Sequence, residues 1–459
     1  LLNPQFTVGW QRIGTLATAP IDGGAPREIM NDIQDADWAP DGKTLAVSHA
    51  SNGRYLLEYP PGKILYSTTS WFNNLRISPN GDFVAFMDHP QGGDDRGTVA
   101  FVDLKGNVKQ LTSDYASESG LHWSPDGTEI WYTASIEGSN EQTLYAVNLQ
   151  GKIRTVAAMV GNLILHDIRP GGAMLLARDS RRRETIALPP GETREKDFSW
   201  FDWTYCREIS DDGKTLVFEE QGAGGGPNYS VYIRNMDGSP AVKLGDGYAT
   251  GVSHDGKFVI SHLPGDYSGF TILPTGAGQP KPVSNIGIQV DFQRMQIFKD
   301  NRRMIFLGHE KGHLPRFWFY DLDANKVKPL TKEGLPLNFC LLSPDEQTLL
   351  APLPEGGYAL YPVSGSGEPK HAPGLETGLP LAWTEDDHTV LIQDRGNLPV
   401  NILRLDLTTG KRTPLKEITP PDISGIVGSI NIVITPDGKT YAYTYRRVLS
   451  DLYMVNGLK

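Results

Sequence analysis

Short runs of apolar residues, each closed by a polar turn, recur along the whole chain. In one stretch, Gly120-Leu121-His122-Trp123-Ser124 reads as a strand, Pro125-Asp126-Gly127 as a turn, and Glu129-Ile130-Trp131-Tyr132-Thr133-Ala134 as the returning strand. A polar loop, 135–142, leads to a third run, Thr143-Leu144-Tyr145-Ala146-Val147-Asn148-Leu149. Lys152-Ile153-Arg154-Thr155-Val156 completes a meander of four. The Asp-Gly pair predicts a two-residue hairpin loop with positive φ, matched to the twist of its strands. The 3.6-residue period of a helix is nearly absent.

The same turn returns about every forty to fifty residues. It reads Ala39-Pro40-Asp41-Gly42, Ser78-Pro79-Asn80-Gly81, Ser124-Pro125-Asp126-Gly127, and a degraded Arg169-Pro170-Gly171-Gly172. Ser210-Asp211-Asp212-Gly213, Ser253-His254-Asp255-Gly256 and a weak Lys299-Asp300-Asn301 follow. Ser343-Pro344-Asp345-Glu346, Thr384-Glu385-Asp386-Asp387 and Thr435-Pro436-Asp437-Gly438 close the series. A four-stranded sheet cannot bury both faces alone. Stacking such sheets as blades around an axis solves this and leaves only short edges. The Ser-Pro-Asp-Gly turn before an apolar strand resembles the PD40 or TolB-like repeat of the WD40-like β-propellers, over almost the whole chain.

The fold class expected is therefore all-β: a propeller of about ten four-stranded PD40-type blades. Ten turns exceed one ring of about 4–8 blades. The Pro-rich, charged segment Leu188-Pro189-Pro190-Gly191-Glu192-Thr193-Arg194-Glu195-Lys196 marks the join. The favoured division is residues 1–190, a partial first blade plus four repeats, and residues 191–459, a six-bladed second propeller. The partial blade uses strands near Thr7-Val8-Gly9-Trp10 and Thr15-Leu16-Ala17. The last repeat stops after three strands, with Asp451-Leu452-Tyr453-Met454-Val455. Phe198-Ser199-Trp200-Phe201 supplies its fourth strand if there are two rings. Pro26-Arg27-Glu28-Ile29 supplies it if there is one large ring.

Among 459 residues, 50 are Gly and 33 Pro, which suits many short strands joined by tight turns. A net charge of −11 argues against non-specific nucleic-acid binding. Cys206 and Cys340 both fall in strand-like segments and read as buried small hydrophobes, without the spacing of a disulfide framework. No run of about 18 apolar residues predicts a membrane span, and no signal peptide is visible. The chain opens Leu1-Leu2-Asn3-Pro4 without Met, which reads as a fragment or a mature form.

Several stretches also resemble the carboxy-terminal propeller region attached to eukaryote-like serine/threonine kinases of bacteria, abundant in acidobacteria. They are Gly23-Gly24-Ala25-Pro26-Arg27-Glu28, Asp35-Ala36-Asp37-Trp38, Gly62-Lys63-Ile64-Leu65-Tyr66 and Phe86-Met87-Asp88-His89-Pro90-Gln91-Gly92-Gly93-Asp94-Asp95-Arg96-Gly97, with the ending Arg447-Val448-Leu449-Ser450-Asp451-Leu452-Tyr453. That resemblance implies a propeller outside the cytoplasm, periplasmic or at the cell surface, preceded by a membrane helix and a kinase domain. The chain itself carries no Gly-rich nucleotide loop, His-Arg-Asp loop or Asp-Phe-Gly, so kinase activity is not assigned to it.

Most of the conspicuous Asp and Gly residues read as blade construction rather than chemistry. The densest polar cluster outside the turns is Asp88, His89, Asp94, Asp95 and Arg96, between two predicted strands. These five residues are the candidate ligand-binding set. Metal ligation by the acids and His89 stands against a loop held by Asp–Arg and Asp–backbone bonds. Arg181-Arg182-Arg183 reads as a solvated hairpin tip. No Gly-x-Ser-x-Gly elbow or zinc spacing is present, and no cofactor or metal is assigned. The function expected is a non-catalytic sensory propeller that binds an unknown protein or small molecule at a ring face or central channel. A TolB-like interaction module of the envelope, or the propeller of a hydrolase whose catalytic domain lies elsewhere, are the alternatives.

Overall fold

The computed structural model describes residues 1–6, 12–51, 53–90, 94–136, 141–159, 161–284, 286–291, 294–336, 339–394 and 398–458. The expected strand at Thr7–Trp10 and the Gln91-Gly92-Gly93 segment lie outside them. The described residues contain strands and no α-helix. Nearly all pairing is antiparallel between consecutive strands, in sheets of four to six. Contacts divide the chain into two compact units: residues 1–181 with 448–459, and residues 182–447.

The first unit begins with a six-stranded sheet from Leu2–Phe6 to Ile64–Thr68. Two four-stranded meanders follow, opened by Trp71–Ile77 and Ser117–Trp123. Alternation along one strand shows why these sheets stack. In Phe83–His89, Val84 and Phe86 join a core with Leu57, Phe72 and Leu75 on one side. Ala85 and Met87 join Leu121, Trp123 and Tyr132 on the other. Both faces are apolar, so each sheet needs two neighbours. Each large side chain so buried contributes about 1.5–3 kcal/mol. Polar staples fix the inner strands: the Asp35 and Asp37 carboxylates accept the Leu75 and Ile77 amides at 3.0 and 2.8 Å.

The second unit closes on itself. Its inner strands run in the order Thr204–Ile209, Tyr248–Val252, Gln296–Ile297, Leu341–Leu342, Leu379–Trp383 and Ile426–Ile434. Bonds pass between neighbours around the circuit. Met295 N donates to Thr250 O, Leu342 N to Gln296 Oε1, Trp383 Nε1 to Leu341 O, and Gln393 Nε2 to Ile430 O. Asn431 Nδ2 then donates to Cys206 O at 2.8 Å, joining the last strand to the first. A core of Ala187, Val433 and Ala442 with Cys206 and Phe218 fills that junction. Six sheets in a closed ring is propeller architecture. Both cysteines are buried and free.

Four expectations change. The Pro-Asp-Gly turns are not two-residue loops. Gly127 N donates to Ser124 O, Ser124 N donates to Glu129 O, and only Gly127 has positive φ, +71°. Pro at the second position fixes φ near −65°, which suits a type I turn over Pro-Asp and moves the left-handed residue to Gly. The Asp126 carboxylate accepts Ser124 Oγ–H and Thr128 N–H inside the loop. Asn301 and Glu346 hold the same position at φ +58° and +61° where Gly is missing.

The arginine triplet is not a hairpin tip. It lies inside the long strand Met174–Leu188, because the chain does not turn there. Arg181 pairs with Asp179 at 3.1 Å, and Arg183 stacks on Trp203 and Tyr205. The strand passes from one unit to the other at 181–182, and Tyr441–Val455 passes back at 447–448. In the second unit, residues 182–188 lie beside 441–447, where the Thr185 and Thr444 hydroxyls bond at 2.7 Å. Lys196–Asp197 pairs on the other side. The closing strand is therefore this pair of segments rather than Phe198–Phe201. Nor does Arg27–Trp38 pair with the last repeat: its partners are Arg12–Thr18 and Leu45–Ser51.

Candidate functional site

In the first unit, the Phe83–His89 strand ends by burying His89 completely. Its ring stacks on Trp71 with centroids 3.9 Å apart. Nδ1 lies 3.0 Å from the Arg96 carbonyl, and Nε2 lies 3.0 Å from the Asn73 amide oxygen. Burial pushes the imidazole down to about 4, so it is neutral near pH 7. Nδ1 thus faces the loop and Nε2 the neighbouring Trp71–Ile77 strand, and the neutral ring has one N–H to donate between them.

The other four candidates bond to different partners. The Asp88 carboxylate accepts the Tyr66 hydroxyl at 3.0 Å, and burial raises its pKa. Asp94 Oδ1 accepts Arg96 N–H at 2.9 Å, a local turn bond of the kind short carboxylates make. Asp95 Oδ2 accepts the Ser117 hydroxyl at 2.7 Å, and the Asp95 carbonyl accepts Glu118 N–H at 3.1 Å. Burial raises the Asp114 pKa, and the nearby Arg96 offsets only part of that. The sequence reading missed Glu118, which sits in the alternation of Ser117–Trp123 like any polar strand residue.

A second site lies in the ring of the second unit, at the end where the Ser253, Ser343 and Thr384 turns gather. A cavity of about 580 Å³ opens there. Glu208 and Arg294 form a half-buried pair on its wall at 2.9 Å. Asp211 and His254 face each other at 3.6 Å. Their pairing holds His254 above its ordinary pKa and Asp211 below, so each stabilises the other's charge. Lys299 and Trp383 also line the space. The sequence reading expected a ligand at a ring face or central channel but named none of these residues, because lining depends on ring closure.

Two further clusters are structural. Glu310, His313 and Glu333 bring ligand atoms within 4.8 Å of one another. Arg316 already pairs with both acids there. Glu220 is fully buried and accepts Phe201 N–H at 3.1 Å, Trp203 N–H at 3.3 Å and the Thr204 hydroxyl. Burial outweighs these bonds and pushes its pKa up to about 7. The neutral form is favoured by folding, so its contribution is complete below pH 4.5 and is lost as pH rises through 7. At about 1.4 kcal/mol per pKa unit, wild type should lose about 3 kcal/mol relative to Glu220→Gln between pH 4.5 and 8. Urea unfolding of both proteins across that range measures the difference.

No known sequence family matches the chain, and no curated protein sequence does. Solved structures are similar to it at low identity. Oligogalacturonate lyase from Vibrio parahaemolyticus is 14% identical with a TM-score of 0.38, over 56% of this chain and 77% of that one. The tricorn protease is 15% identical with a TM-score of 0.33, over all of this chain and 62% of that one. TolB from Acinetobacter baumannii is 12% identical with a TM-score of 0.24, over 72% and 78%. The chain's own sheets define its class: an all-β protein of propeller type. No helix among the described residues is long and apolar enough to cross a membrane.

Proposed function

We propose that the chain is a non-catalytic binding propeller that takes its ligand in the ring cavity of the second unit. The observation that supports this reading most is the cavity itself. Its volume of about 580 Å³ falls in the range of about 300–1,000 Å³ typical of small-molecule sites. Its wall combines an aromatic face, Trp383, with two opposed-charge pairs, Glu208–Arg294 and Asp211–His254. That lining suits a small ligand or short peptide segment with both apolar and charged groups.

The resemblance of residues 86–97 and 447–453 to kinase-attached propellers supports a reading of this chain as the extracytoplasmic part of a bacterial receptor-like kinase. A TolB-like interaction module or a hydrolase-associated propeller would use the same cavity without a kinase. The upstream reading frame separates these: a membrane helix and kinase motifs support the first.

The cavity is tested by the double variant Glu208→Gln/Arg294→Met, which removes both charges together. Ligands or envelope proteins captured by wild type should bind this variant at least tenfold more weakly. Equal retention by both proteins would place binding on another surface.

A further inference from the structure

Glu118 is the one acidic side chain of the first unit, among the described residues, whose two carboxylate oxygens are both buried without a hydrogen-bond partner. It is 2% exposed. Such a carboxylate costs several kcal/mol if it stays charged and alone. Something must either protonate it or bind it.

Its surroundings favour binding. Gly97 faces it from the end of the candidate loop. A Cβ on Gly97 would lie 2.5 Å from Glu118 Oε1, 2.6 Å from the Asp88 carbonyl oxygen and 2.8 Å from His89 Nδ1. The missing side chain thus lets a carboxylate oxygen and a main-chain carbonyl approach the same point beside Gly97. Two tyrosine-strand bonds, Gly97 N to Tyr115 O and Tyr115 N to Gly97 O, hold that geometry. Asp88, Asp95 and Asp114 surround Glu118 closely enough that, after burial, their charges disfavour its ionised form further. Arg96 lies near Asp114, and both Glu118 oxygens remain without a bond.

We propose that the Glu118 carboxylate and the Asp88 carbonyl form the core of a binding site for a hard divalent cation of the calcium type, with the Asp95 and Asp114 carboxylates as its outer anionic shell. The donors are all oxygen, and they include a backbone carbonyl in an irregular arrangement. Calcium accepts six to eight such ligands flexibly, whereas magnesium demands a near-ideal octahedron. His89 does not contribute, because the Arg96 carbonyl and the Asn73 amide occupy its nitrogens. The cation replaces the proton that burial would otherwise force onto Glu118.

Calcium titration of the chelator-treated full chain by calorimetry tests this, with the melting temperature read in parallel. Wild type should bind calcium and melt higher with it, and magnesium at equal concentration should give a smaller shift. Glu118→Gln keeps the shape and removes the charge. It should weaken calcium binding at least tenfold and abolish the melting shift, while remaining at least as stable as wild type in chelator. Should that variant not fold, exposed Asp114→Asn should weaken binding about threefold. Absence of calcium binding at millimolar concentration, or calcium binding unchanged in Glu118→Gln, would overturn the proposal.

Discussion

Replacing Glu219 by Leu should destabilise the second unit by about 3–5 kcal/mol, the usual cost of stranding one partner of a buried ion pair. Glu219 is fully buried on the Thr215–Glu220 strand. One oxygen pairs with Arg207 and Gln221, and the other accepts Ala249 N–H at 2.8 Å from the next sheet. Its loss takes the Glu219 charge away from a guanidinium pressed against the Tyr205 ring, 4.4 Å from its centroid. It also leaves a buried amide without an acceptor. Denaturant unfolding measures the loss. The pair should be coupled: Glu219→Leu with Arg207→Met should cost markedly less than Glu219→Leu alone. An additive double variant would mean that the two charges do not depend on each other.

Gly120→Ala should cost the first unit about 3 kcal/mol. Gly120 bulges the Ser117–Trp123 strand at φ +67°, where an L side chain pays about 1–2 kcal/mol. Its added methyl would also lie 2.3 Å from Leu165 O and 2.8 Å from Leu165 N, backbone atoms of the adjacent sheet. No rotamer can relieve a backbone clash, so the sheets must part. Gly42→Ala isolates the conformational effect. Its φ is +64°, yet nothing lies within 4 Å of the new carbon. Thermal unfolding should therefore show the Gly120 variant clearly below the Gly42 variant; equal losses would leave only the conformational term.

The parts legible in the sequence are those fixed within a few residues. Pro-Asp-Gly turns and the apolar strands after them depend on local φ preferences and alternation, and they appear where expected. Partnerships across long separations are not encoded this way. Arg183 looks like surface charge until Trp203 and Tyr205 are brought alongside it. Met174–Leu188 reads as a strand plus a tip because nothing local shows that a second strand, 441–455, will cover its length. The 88–96 cluster is visible because its residues adjoin in the chain. Glu118 is not, because its neighbours come from 88, 95 and 114 only after the sheets stack. Alternation gives no advance signal of it: Glu118 shares its parity with His122, and only the bulge at Gly120 buries it along with Leu121 and Trp123.

The two crossings at 181–182 and 447–448 nest one unit within the sequence of the other. On the ribosome, the ring of residues 182–447 has all its strands once residue 447 has emerged. The first unit, though begun earlier, must still wait for residues 448–455, where Asp451 meets Arg178 and Ser450 meets Asp179. Domains generally fold as units during synthesis. Here the order of birth is reversed: the segment made first is finished last, and its exposed edge must be kept from wrong partners until the final strand arrives.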